Sequence, residues 1–76
     1  MNNTEVVIKV LDKHGCQNTK EISRDAMRLF NVSITLHEVS GVLRKLVSSG
    51  EASKSNCGNG STVYWLNRKG SYYWNN

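Results

Sequence analysis

With 76 residues, the chain is one small domain, residues 1–76, whose core must be thin: at this size only about 60–65% of the unfolded surface is buried. Its 38% hydrophobic and 21% charged residues exclude a disordered chain and suit a soluble globular one. A formal net charge of +4 leans toward an anionic partner, but the cations form no dense block, so charge alone decides little.

No apolar run approaches the roughly 20 residues that span a membrane. The start, Met1-Asn2-Asn3-Thr4-Glu5, has no basic stretch ahead of an apolar one, so no signal peptide is expected. A cytoplasmic protein follows, in which Cys16 and Cys57 are free thiols; a single disulfide between them is the less favoured alternative.

Val6, Val7, Val10 and Leu11 recur on one face of a helix from about Thr4 to Lys13. Thr4 is the expected cap, and Gly15 the stop. Cys16-Gln17 is long enough only for a connector or a stub of strand. Asn18-Thr19-Lys20-Glu21 then starts a second helix, to about Phe30. Asn18 caps it, with Thr19 as the alternative, and Glu21 stands at the capping-box position. Ile22, Ala26, Met27, Leu29 and Phe30 make its apolar stripe; Lys20, Arg24, Asp25 and Arg28 take the outer face.

Asn31-Val32-Ser33-Ile34 breaks the pattern and reads as a connector whose apolar side chains still pack. Thr35-Leu36-His37-Glu38 is a capping box that opens a third helix. Leu36, Val39, Val42, Leu43, Leu46 and Val47 are its expected buried stripe, and Ser48-Ser49-Gly50 its end.

After Gly50 the period changes. Residues 51–56 are polar and short, and Ser61 to Leu66 are rich in residues that suit a pleated surface. Between them Cys57-Gly58-Asn59-Gly60 tolerates positive φ, so the pair is a hairpin. On the second strand Val63 and Trp65 share one face and Tyr64 and Leu66 the other, so at least one of Tyr64 and Trp65 is expected to be exposed. The tail 67–76 holds Arg68, Lys69, Tyr72, Tyr73 and Trp74, both basic and aromatic.

The chain is thus α+β, with three helices followed by a two-stranded hairpin. In that order it resembles the winged helix-turn-helix superfamily over nearly its whole length, the hairpin being the wing. Thr19-x-Glu21-Ile22, Gly50, Lys54-Ser55, Gly60 and Tyr64-Trp65 resemble one subgroup, the FaeA-like regulators of fimbrial operons. The resemblance implies a small bacterial-type transcriptional regulator that acts alongside a larger DNA-bound regulator.

If the third helix reads duplex DNA, its working residues are those off the apolar stripe. Arg44 and Lys45 can meet guanine edges or phosphates. His37 and Ser40 can donate to base edges, and Thr35 can position a phosphate at the helix N-terminus. Gly41 costs the helix about 1 kcal/mol against alanine, tolerable where a DNA strand or a neighbouring helix comes close. Glu38 opposes phosphate, and an ordinary solvated helix face would look much the same.

Around this helix, Lys54, Asn56 and Asn59 in the wing, Lys20 on the second helix, and Arg68 and Lys69 beyond the last strand complete the candidate DNA contacts. Each also suits an ordinary exposed surface. Trp65, Tyr72, Tyr73 and Trp74 form a candidate patch for a homodimer or for the larger regulator. Stacking on single-stranded bases is a third use of these aromatics.

His14, Cys16, His37 and Cys57 lack the paired spacing of a zinc site, so no metal or cofactor is expected. No Gly-framed nucleophile or phosphate loop is present, so the chain does not read as an enzyme. The rival to DNA binding is a winged-helix module that makes protein–protein contacts only.

Overall fold

A computed structural model describes residues 2–57 and 61–67. Helices α1 (Asn3–His14), α2 (Thr19–Phe30) and α3 (Leu36–Ser48) precede an antiparallel hairpin of β1 (Ala52–Cys57) and β2 (Ser61–Leu66). The α+β order expected from the sequence is therefore present.

All three helices start on the same device. Asn2, Asn18 and Thr35 each accept a hydrogen bond from the backbone of the residue three places on, and Glu5, Glu21 and Glu38 each reach back to the cap. Two donors at each helix start are thereby satisfied. At α1 this corrects the expectation that Thr4 caps. Asn2 has a glutamate three residues later, whereas Thr4 has Val7 there.

The helix ends also follow local chemistry. Asn31 closes α2 in the left-handed region at φ 56°, which asparagine tolerates better than most residues. Gly50, at φ 85°, lets its own N–H reach the Val47 carbonyl and the Glu51 N–H reach that of Leu46. These are the two bonds of a Schellman stop.

One core joins every element. Val6, Val7, Val10 and Leu11 of α1 meet Ile22 and Ala26 of α2, Ile34 of the connector, Val39, Leu43 and Leu46 of α3, and Ala52 of β1. Helix α1 packs against α2, α3 and β2, and α3 against α1, α2 and β1. The connector is tied back to α2 where the Ser23 hydroxyl donates to the Ile34 carbonyl at 2.7 Å.

The hairpin pairs Ala52 with Leu66, Lys54 with Tyr64 and Asn56 with Thr62. Tyr64 and Leu66 face the core, which puts Val63 and Trp65 on the other face. Both Tyr64 and Trp65 are half-buried, so the expectation that one of them is exposed is not met. Along β1 the core-side face is buried at Ala52 and open at Lys54 and Asn56, so the hairpin runs past the edge of the core. Cys57-Gly58-Asn59-Gly60, the expected turn, lies mostly outside the described residues.

The Cys16-Gln17 connector does more than connect. The Gln17 N–H donates to the Tyr64 carbonyl at 3.0 Å, and the Tyr64 N–H donates back at 2.8 Å. This antiparallel bridge pins the middle of β2 to the chain between α1 and α2. At the hairpin's base, the Asn67 side chain donates to the Gly50 carbonyl and accepts from Ser53.

The apolar stripes need three corrections. Asp25, expected outside, is buried at 7% exposure. It stands three residues after buried Ile22 and beside buried Ala26, and the buried Gln17 amide covers it. Met27 and Leu36, expected inside, are 46% and 45% exposed. Among the described residues no helix is long and apolar enough to cross a membrane.

Candidate functional site

The outward face of α3 is built by the helical period alone. Val39, Leu43 and Leu46 are buried, which turns His37, Glu38, Arg44, Lys45 and Ser48 to solvent; Ser40 and Gly41 are half-buried beside them. Gly41 lies at the middle of this face. Its neighbours one turn away are His37 and Glu38 on one side and Arg44 and Lys45 on the other.

Gly41 has no internal reason to be glycine. Among the described residues a Cβ placed there would meet nothing within 4 Å, which removes a neighbouring helix as the explanation. Gly41→Ala is therefore expected to stabilise the domain by about 1 kcal/mol. Thermal unfolding would register this as a rise of about 4–8 °C; a fall would mean that the helix is held differently.

Glu38 now has a structural task. Its carboxylate accepts from the Thr35 N–H at 3.0 Å and from the Thr35 hydroxyl at 3.2 Å, while the Glu38 N–H donates to Thr35 Oγ1 at 3.1 Å. Thr35 is the exposed N-cap, its hydroxyl already engaged within the cap. Glu38 thus complements the positive end of the α3 dipole.

The remaining candidates lie on other elements. Lys20 is exposed in the first turn of α2, and Lys54 and Asn56 are exposed on one face of β1. Asn59, Arg68 and Lys69 lie outside the described residues, as do Tyr72, Tyr73 and Trp74; Trp65 is half-buried.

Two groupings were missed by the sequence reading. The first is a polar cluster beneath the bridge. Gln17 Nε2 donates to Asp25 Oδ2 at 2.6 Å, Arg28 Nη2 donates to Asp25 Oδ1 at 2.9 Å, and His14 Nε2 stands 3.9 Å from Asp25 Oδ2. Burial pushes the Asp25 carboxyl upward. The bonds from Gln17 and Arg28, with the electrostatic effect of Arg28 and of the nearby His14, outweigh it and hold the group below its ordinary value. Gln17 Oε1 is buried without a hydrogen-bond partner among the described residues.

The second grouping is a row of cations. Lys20, Arg24 and Arg28 recur at i, i+4 and i+8 on α2, and all three are exposed. The signal is in the spacing: all three fall on the expected outer face of α2, and Lys20 is also a candidate DNA contact. Beside them Met27, Ser23, Ser33 and Ile34 line an open groove of about 450 Å³ with Arg24 and Arg28 at its rim.

No protein-family model matches the chain. The search of curated proteins likewise gives no significant match.

Proposed function

We propose that the chain is a winged helix-turn-helix domain that binds duplex DNA as a small transcriptional regulator. Helix α3 enters the major groove, with Arg44 and Lys45 as its cations and His37 and Ser40 at base edges. The hairpin is the wing, adding Lys54 and Asn56 at the backbone. The observation that carries this reading is the outward face of α3, polar and cationic, with a bare backbone at Gly41 where no part of the described chain comes close. The bridge from Gln17 to Tyr64 also supports it, because a wing must be held at a fixed angle to its reading helix to engage the same duplex.

Few cations face outward, so affinity is modest and salt-sensitive. A larger DNA-bound regulator beside it raises the effective concentration and makes up the difference.

Titration of labelled duplex between about 50 and 200 mM salt tests the proposal. Arg44→Ala/Lys45→Ala is expected to bind roughly tenfold to a hundredfold more weakly, with the slope of log affinity against log salt reduced by about 2. Absence of duplex binding by the unaltered chain at low salt defeats DNA binding; unchanged binding by the double variant defeats the placement of α3. Gly41→Ala adds an independent check. It should weaken duplex binding while raising thermal stability, a pairing that general damage to the fold does not produce.

A further inference from the structure

We infer that the outer face of α2 is a second docking surface, built to take an acidic segment of a partner protein that carries one apolar anchor side chain. This goes beyond DNA reading by α3 and does not depend on it.

The first observation is charge. Lys20, Arg24 and Arg28 stand one helical turn apart, about 6 Å along the axis at each step. Both α2 carboxylates are engaged: exposed Glu21 accepts from the Asn18 N–H at 2.9 Å in the cap, and buried Asp25 pairs with Arg28 at 2.9 Å. Among the described residues no ion pair involves Lys20 or Arg24. Arg28 is anchored by Asp25 yet keeps its side chain 64% exposed, which fixes a guanidinium at the groove's rim. This face carries three cations with Glu21 beside them, and the outward face of α3 two with Glu38 beside them.

The second observation is the apolar groove beside Arg24 and Arg28. Met27 is 46% exposed, and Ile34 forms a buried floor at 4%. The Ser23 hydroxyl in its wall is already satisfied by the Ile34 carbonyl, so the groove makes little polar demand on a ligand. A phosphate backbone would use the arginines and gain nothing from Met27. An acidic peptide with a leucine or phenylalanine uses both: carboxylates pair with the rim, and the anchor covers Met27 and the edge of Ile34. The flexible thioether of methionine adapts to such anchors.

The test uses the whole chain, isotope-labelled, with three probes: a short acidic peptide bearing one leucine, its twin with serine in place of leucine, and duplex DNA. The leucine peptide is expected to shift the signals of Met27, Ile34 and Arg24, and the serine twin to bind about tenfold or more weakly. Met27→Lys should remove the difference between the twins, whereas Arg24→Glu should weaken both. Equal affinity of the twins for the unaltered chain, or no response on α2 to the leucine peptide, overturns the inference. If duplex DNA shifts the same Met27 and Ile34 signals and displaces the peptide, the face is a DNA contact and the inference also fails.

Discussion

Leu43→Ala is expected to remove about 2–5 kcal/mol of stability. A chain of this length holds roughly 4–11 kcal/mol in all, so the variant stands close to the unfolding threshold. Leu43 is fully buried at 0% exposure, and its alanine leaves a cavity between α3 and the valines of α1 that a thin core cannot refill. The functional consequence is indirect but large. Leu43 is adjacent in sequence to Arg44, about 100° from it around the same rigid helix, so the packing that holds it also aims the outward face. Leu36→Ala is the matched control: at 45% exposure, it should cost less than about 1 kcal/mol. Urea unfolding of the two variants measures the contrast. A Leu43→Ala loss no larger than the Leu36→Ala loss would mean that α3 is not anchored through this face.

Asp25→Ala should be the next most damaging change, at about 2–3 kcal/mol. Removing the carboxylate takes the acceptor from the buried Gln17 amide, whose Oε1 already lacks a partner among the described residues. A buried donor left unmade costs its full desolvation. The Arg28 contact adds little, because its side chain is 64% exposed and solvent screens it.

The same group sets an acid dependence. Its carboxyl lies below the ordinary 3.8 in the folded chain, so the unfolded chain takes up the proton first as pH falls. The stabilisation is complete above the unfolded value, near pH 4, and disappears as pH drops through the folded one. Unfolding free energy measured from neutral pH downward should fall more steeply for the unaltered chain than for Asp25→Asn, which cannot titrate there. Parallel curves would remove Asp25 as the source.

What the sequence revealed of this fold came from short-range chemistry. Asn18 with Glu21 and Thr35 with Glu38 are read directly, because a capping box closes within four residues. Gly50 and the change of period after it mark the hairpin for the same reason. What escaped depends on partners far along the chain. Asp25 looks like a surface acid until Gln17 comes from the connector to donate a hydrogen bond to it inside. Met27 looks like core until the turn at Asn31 directs the connector past it. Of the candidate site, the arc of α3 from His37 to Lys45 followed from helical period. That none of the described residues approaches a Cβ at Gly41 depends on the packed molecule. The cations of α2 were visible at their spacing of four, but a row gains meaning only once the groove beside it is formed.

The bridge at Tyr64 also decides how the hairpin meets other sheets. With β1 on one side and Gln17 on the other, the middle of β2 has its edge hydrogen bonds occupied. Extension of the sheet by another molecule therefore falls to the outer edge of β1. That strand reads Ala-Ser-Lys-Ser-Asn-Cys, with no bulky apolar side chain and with Lys54 near its middle, a composition that resists edge-to-edge aggregation. The domain can present a projecting hairpin to a partner and still keep it from recruiting further strands.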